Sequence, residues 1–176
     1  MPPSQTERPL VVTFGEIRMR LKSPSHERLF QTGSLEVTFA GGEANVAVSV
    51  ANYGLRARFV TALPPGPLGD AAVGALRAMD VETSAILRRP GRMGLYFVEA
   101  GAAQRSSTVV YDRDGAAVAL AQPDEFDWPS IVAGARWFHV SGITPALSAA
   151  GAALTEAALR AARDAGATTS LDLNYR

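Results

Sequence analysis

The chain has 176 residues, of which 47% are hydrophobic and 19% are charged, a composition typical of a folded globular domain. Lysine plus arginine equals aspartate plus glutamate at 17 each, so the net charge offers no general attraction for nucleic acid or an anionic membrane. The chain contains no cysteine, which excludes disulfide bonds and thiolate metal sites, and its two histidines lie far apart, so no metal site is expected.

The first half of the chain alternates predicted strands with predicted helices. Residues 1–9 are polar and contain three prolines, so we expect a disordered tail there rather than a signal peptide. Residues 10–14 form an apolar, β-prone run that predicts a buried strand. Residues 44–53 are apolar on nearly every side, which predicts a buried helix, and residues 57–63 predict a second strand. After a proline-rich turn, residues 69–79 predict a helix with one apolar face.

The second half of the chain continues this alternation with one interruption. Two β-prone runs on either side of a glycine-containing turn, at 94–98 and 107–111, predict a hairpin. The other predicted elements are strands at 84–87 and 137–140, a helix at 148–165 and a final strand at 168–173. No apolar run approaches the roughly 18 residues that span a bilayer, so we expect no membrane contact and a cytoplasmic location.

The order of these elements predicts an α/β fold with a parallel sheet and helices on its faces. The segments 17–40 and 94–115 do not fit the alternation, and we expect them to form a small separate β-layer. No helix follows the last predicted strand, and a parallel sheet left open on one face is unusual. We therefore expect residues 10–176 to be a partial domain, truncated at its carboxyl side.

A glycine pair precedes the first predicted helix in the segment Ala40-Gly41-Gly42-Glu43-Ala44-Asn45. Glycines allow a ligand to approach the backbone, and the start of a helix presents unpaired N–H groups. The Asn45 amide can both donate and accept hydrogen bonds, which suits a sugar hydroxyl. The same pattern is also typical of a tight turn into a core helix. Neither the G-x-G-x-x-G motif nor a P-loop lysine is present, so this segment carries no nucleotide-binding fingerprint.

Six motifs in order along residues 10–176 make the pattern specific. They are Phe14-Gly15-Glu16, the segment 40–47, Pro67-Leu68-Gly69-Asp70, Gly94-Leu95-Tyr96-Phe97, the segment 141–147 and Asp172-Leu173-Asn174-Tyr175-Arg176. This series resembles the ribokinase-like (PfkB) carbohydrate kinases, and within them bacterial 2-keto-3-deoxygluconate kinases. The resemblance implies a doubly wound α/β body with a small β-sheet lid over the sugar site, and it implies ATP with Mg²⁺ as cofactors of the complete kinase.

The resemblance also implies which residues bind the sugar acid. These substrate-binding candidates are Gly41, Gly42, Asn45, Tyr96, Tyr111, Arg113 and Arg176. A guanidinium group binds a carboxylate through two charge-assisted hydrogen bonds. This chemistry supports a carboxylate-binding role for Arg113 and Arg176 independently of the resemblance. An arginine in a hairpin is, however, commonly solvated, Arg176 is the last residue, and tyrosines in a hairpin are commonly packing residues.

No catalytic residue is predicted within this chain. In the family, the G-A-G-D-type motif with the proton-accepting aspartate, and the adenine pocket, belong to a carboxyl half that these residues do not include. The resemblance therefore implies that the chain alone is inactive. We expect Glu16 either to bind a hydroxyl or to anchor a loop. Asp70 and Asp172 are expected to have structural roles, and His139 is expected to lie in the core. Arg18 stands where relatives usually carry an apolar residue, which leaves the details of the pocket open.

Three further interpretations concern the substrate and partners. A kinase for a neutral sugar such as fructose or ribose is the near alternative to one for a sugar acid. A non-catalytic sugar-binding or dimerisation module is the alternative from another class. A homodimer through the lid is plausible because a small sheet with two faces often needs a partner to cover one of them. The absence of a basic stripe with interleaved aromatic residues argues against a nucleic-acid partner.

Overall fold

The structure is a computed structural model in which residues 8–175 are described. The strands in chain order are β1 (Leu10–Phe14), β2 (Arg18–Lys22), β3 (Glu36–Ala40), β4 (Arg56–Leu63), β5 (Val81–Glu82), β6 (Ile86–Arg88), β7 (Leu95–Glu99), β8 (Thr108–Asp112), β9 (Ala135–Ser141) and β10 (Thr168–Asp172). The helices are α1 (Gly42–Asn52), α2 (Pro67–Arg77), α3 (Ala117–Leu120), α4 (Trp128–Val132), α5 (Ile143–Ala146) and α6 (Ala149–Asp164). A 3₁₀ turn at Pro123–Glu125 lies between α3 and α4.

The main sheet is parallel throughout and has helices on both faces. Its strand order is β10-β9-β1-β4-β5, and β6 pairs with the far end of β4. Alternate residues of β4 contribute to two hydrophobic clusters, with Phe59 packed towards α1 and α2 and Val60 packed towards α3, α4 and α6. Because successive strand side chains point to opposite faces, one apolar strand supplies both cores.

Short polar signals set where the helices begin and end. The Ser148 hydroxyl accepts a hydrogen bond from the Gly151 N–H at 2.9 Å, which caps the first turn of α6. That helix stops before Gly166, whose φ of +78° lies in the left-handed region that glycine adopts without strain. Ser148 and Gly166 therefore explain where α6, the longest of the helices given above, begins and ends.

A second, four-stranded sheet lies apart from the main one, and we call it the lid. Its strand order is β3-β2-β7-β8, with β2 parallel to β7 and the two outer pairs antiparallel. Met19, Phe39 and Leu95 share one face of the lid and pack against the hydrophobic cluster beside α1 and α2. This apolar contact fixes the lid over the carboxyl ends of the main strands.

The α/β prediction with a parallel sheet and a separate small β-layer is confirmed. The helices at 117–120, 128–132 and 143–146 were not predicted, because one turn of helix is too short to show a periodic pattern. The strand expected at 84–87 is found only in part, because β6 begins at Ile86, and the short strand β5 at Val81–Glu82 was not predicted. Among the described residues, every helix is too short or too polar to cross a membrane.

Candidate functional site

A cavity of about 470 Å³ lies between the lid and the carboxyl edge of the main sheet. Its lining consists of Arg18, Ala40, Gly41, Gly42, Asn45, Tyr96, Tyr111, Arg113, Ile143 and Asn174. Six of the seven sugar-binding candidates are therefore brought to one hollow. The seventh, Arg176, lies outside the described residues. Open α/β sheets generally bind ligands at this carboxyl edge.

The glycine pair forms the floor of the cavity where α1 begins. A Cβ atom on Gly41 would overlap the backbone carbonyl oxygen of Glu16, so only glycine permits this approach of two backbone segments. A Cβ atom on Gly42 would meet no atom within 4 Å, so packing does not require glycine there. The cavity at Gly42 is instead kept open by the lack of a side chain.

The lid turns one face towards the cavity. Arg18 pairs with Ala40 across β2 and β3, and Tyr96 pairs with Tyr111 across β7 and β8. The two tyrosine rings stack with centroids 6.0 Å apart. The Arg18 guanidinium carbon lies 5.1 Å from the centre of the Tyr96 ring and 5.2 Å from that of Tyr111. These distances are those of cation–π contacts.

Three charged side chains from two separate segments of the chain meet at the root of the lid. The Glu16 carboxylate, 3% exposed, lies 3.7 Å from Arg18 Nε and 3.5 Å from Arg113 Nε. Both carboxylate oxygens are buried and, in the described part of the chain, have no hydrogen-bond partner. Two guanidinium groups thus share one carboxylate, which leaves one net positive charge at the cavity. Such a site suits an anionic ligand.

Burial raises the pKa of the Glu16 carboxyl above its ordinary value. The positive charges of Arg113 and Arg18 lower this pKa and the negative charge of Glu43 raises it, but burial has the largest influence. A carboxyl whose pKa is raised by folding stabilises the protein fully below its unfolded pKa, about 4.3 for glutamate. That stability is lost as the pH rises through the raised, folded pKa.

We therefore expect Glu16→Gln to gain stability relative to the wild type as the pH rises from about 4 to neutrality. The amide carries no charge, so its burial does not become more costly with pH. Urea unfolding of both proteins across this range measures the difference. If the wild type becomes the more stable of the two as the pH rises, the two arginines outweigh burial and the assignment is wrong.

A second buried carboxylate, Glu43, fastens the start of α1 to the end of β9. Its Oε1 accepts hydrogen bonds from the Ser141 N–H at 3.0 Å, the Ser141 hydroxyl at 2.6 Å and the Thr144 hydroxyl at 3.2 Å. The Thr13 hydroxyl donates to the Glu43 carbonyl oxygen at 3.0 Å. A Cβ atom on Gly15 would overlap this carboxylate, which explains the glycine after β1. Glu43 thereby holds the floor of the cavity in place.

Sequence reasoning missed four residues of the lining, which are Arg18, Ala40, Ile143 and Asn174. Arg18 departs from the family pattern, and the structure places it in the cavity wall, 8% exposed. Ile143 and Asn174 belong to recognised motifs, but nothing in their spacing indicated that they would face a cavity. The Asn174 N–H donates to an Asp172 side-chain oxygen at 2.9 Å, a structural role for that aspartate.

Two residues that were expected to be structural lie outside the cavity lining. Asp70 forms an ion pair with Arg88 at the start of α2. His139 is half-buried rather than a core residue, and its Nδ1 lies 2.8 Å from the Ser170 hydroxyl on the neighbouring strand. The expectation of a core histidine is therefore wrong, because many residues of β9 and β10 are only partly covered by other parts of the chain.

The comparisons with known proteins agree with this arrangement. A model of the pfkB family of carbohydrate kinases matches residues 8–176. A 2-dehydro-3-deoxygalactonokinase of Haloferax volcanii is 44% identical, over 94% of this chain and 52% of the relative. The crystal structure of a 2-dehydro-3-deoxygluconokinase from Thermotoga maritima is 54% identical, with a TM-score of 0.93 over 96% of this chain and 52% of that one.

A more distant match is the crystal structure of a fructokinase from Xylella fastidiosa. It is 29% identical, with a TM-score of 0.81 over 95% of this chain and 51% of that one. The chain thus spans about half the length of the proteins that it matches.

Proposed function

The chain belongs to the pfkB family of carbohydrate kinases, and from that premise we propose that it supplies the sugar-binding half of a kinase for 2-keto-3-deoxygluconate (2-dehydro-3-deoxygluconate). The observation that carries this proposal is the cavity in which Arg18 and Arg113 leave one net positive charge beside Asn45 and two tyrosines. A sugar acid offers a carboxylate and several hydroxyls to these groups.

Each group has a chemical counterpart on the sugar acid. A guanidinium donates two parallel hydrogen bonds to a carboxylate, which a neutral sugar does not accept with the same strength. The Asn45 amide and the tyrosine hydroxyls can bind the polyol chain. The lid excludes water from the cavity, and phosphoryl transfer depends largely on such positioning. The names of the Haloferax and Thermotoga relatives, both kinases of deoxy sugar acids, support the same substrate class.

ATP with Mg²⁺ is the phosphate source that we propose for the complete kinase. Within residues 8–175 no group of three or more His, Asp or Glu side chains is placed to hold a metal ion. We assign this chain the tasks of binding the sugar, orienting its hydroxyl and excluding water. The family's phosphate-transferring residues are proposed to lie outside this chain.

Purified residues 1–176 are expected to bind 2-keto-3-deoxygluconate in preference to fructose and to show no ATP-dependent phosphorylation of either sugar. Isothermal titration calorimetry measures the preference, and a coupled ADP assay measures turnover. Tighter binding of fructose would favour the neutral-sugar alternative, which the fructokinase relative supports. Clear turnover would show that a catalytic base has been overlooked in this chain.

A non-catalytic module is the alternative from another class. It would bind the sugar acid and remain without activity even when the carboxyl half of a family member is supplied as a second polypeptide. Recovery of phosphorylation in that mixture would favour the kinase.

We also propose a homodimer through the lid. An apolar groove of about 760 Å³ runs between the edge strand β3 and the helices α1 and α2, and Val37 on that strand is 56% exposed. A partner lid would cover this surface and remove the free strand edge. Sedimentation velocity distinguishes the dimer from a monomer.

A further inference from the structure

Arg18 combines deep burial with an unfilled hydrogen-bonding capacity. Its side chain is 10% exposed, it lines the cavity, and its Nε is buried without a hydrogen-bond partner in the described part of the chain. Buried charged groups are costly to leave unpaired, and the nearest protein acceptor, a Glu16 carboxylate oxygen 3.7 Å from Arg18 Nε, is too far away for a hydrogen bond. A ligand group that accepts hydrogen bonds would complete the arrangement.

The contacts that hold Arg18 leave its donors available. A guanidinium stacks on an aromatic ring through its flat face, while its N–H groups point outwards in its own plane. The Arg18 guanidinium carbon lies 5.1 and 5.2 Å from the centres of the Tyr96 and Tyr111 rings, within the range of such contacts. The rings can therefore fix the side chain without using the hydrogen bonds that an anionic ligand needs.

The neighbouring charges favour a negative ligand group at this point. Among residues 8–175, Glu16 is the one carboxylate that forms ion pairs with both Arg18 and Arg113, and its distances of 3.7 and 3.5 Å to them exceed those of well-formed charge-assisted hydrogen bonds. Neither guanidinium is thus fully matched by the protein. One further carboxylate would balance the charge of the set.

We propose that Arg18 is a specificity-determining residue that binds the substrate carboxylate together with Arg113. This inference rests on the proposed function and adds a residue that the family pattern does not provide, since an apolar side chain usually stands there. Arg18 makes the site select an acid over the corresponding neutral sugar. The tyrosine rings set the direction of the guanidinium.

The test compares two ligands that differ only at the first carbon. Isothermal titration calorimetry is done with 2-keto-3-deoxygluconate and with 3-deoxyfructose, in which a hydroxymethyl group replaces the carboxylate. Arg18→Gln is expected to weaken binding of the acid by about 10- to 100-fold, the loss that follows from a charge-assisted hydrogen bond. Binding of the alcohol is expected to remain unchanged.

Two further variants make the result decisive. Arg18→Lys keeps the charge but not the planar fork, and it is expected to weaken acid binding by about tenfold. Arg18→Lys also tests the proposal if Arg18→Gln does not fold. Lys22→Met removes a positive charge from the same face of β2 outside the cavity lining and is expected to leave both affinities unchanged.

An equal loss for the acid and the alcohol would overturn the proposal, because Arg18 would then act only by holding the tyrosines. Unchanged acid binding would also overturn it. A wild-type protein that shows no preference for the acid would instead contradict the proposed function itself, so the two failures are distinguishable.

Discussion

Replacing Glu43 with alanine is expected to lower the free energy of unfolding by about 3 kcal/mol. The substitution removes the acceptor for one N–H and two hydroxyl groups, all on Ser141 and Thr144, which are 2% and 0% exposed. A buried donor without an acceptor costs about 1–3 kcal/mol, and relief from burying the carboxylate offsets part of the total. Urea unfolding followed by circular dichroism measures the change.

The matched control for this prediction is Glu43→Gln. The amide oxygen can take the place of the Glu43 Oε1 that accepts all three hydrogen bonds, so the loss is expected to be about 1 kcal/mol. If alanine and glutamine cost the same, the three hydrogen bonds do not carry the stability and the anchor has been assigned wrongly.

Arg113→Ala is expected to weaken binding of 2-keto-3-deoxygluconate roughly 100-fold, because two charge-assisted hydrogen bonds to the carboxylate are lost. Binding of fructose should change little, since it has no carboxylate. The substitution also removes one of the two cations near Glu16, so thermal unfolding is measured alongside calorimetry to confirm that the variant is folded.

Arg92→Ala serves as the control for Arg113→Ala. Arg92 pairs with Asp112 at 2.8 Å, both side chains are exposed, and neither residue lines the cavity. An exposed ion pair contributes little to stability because solvent screens it, so this variant should keep both its stability and its affinity for the acid. Equal affinities in Arg113→Ala and the wild type would remove Arg113 from the binding site.

Local sequence patterns predicted most of the longer strands and helices. The buried strand β1 and the helix α6 follow from apolar runs, a capping serine and a stopping glycine within about 20 residues of chain. The glycine pair before α1 predicted a close approach by a ligand or a tight turn, and at Gly41 the Glu16 carbonyl oxygen lies where a Cβ atom would be. Signals of this kind are local because they depend on backbone conformation and on nearby side chains.

The geometry of the candidate site depends on contacts between residues that lie far apart in the sequence, and local sequence patterns do not reveal such contacts. Glu43 and Ser141 are 98 residues apart, and the distance that joins them is set by the pairing of β9 with β1. Arg18 and Arg113 meet the same carboxylate because the lid brings β2 and the end of β8 together. By itself the sequence determined the longer strands and helices, the family and six residues around the cavity, since apolar periodicity and motif order are properties of the chain. Only the tertiary structure decided that Arg18 belongs to the cavity, because strand register and lid packing fix the direction of a side chain.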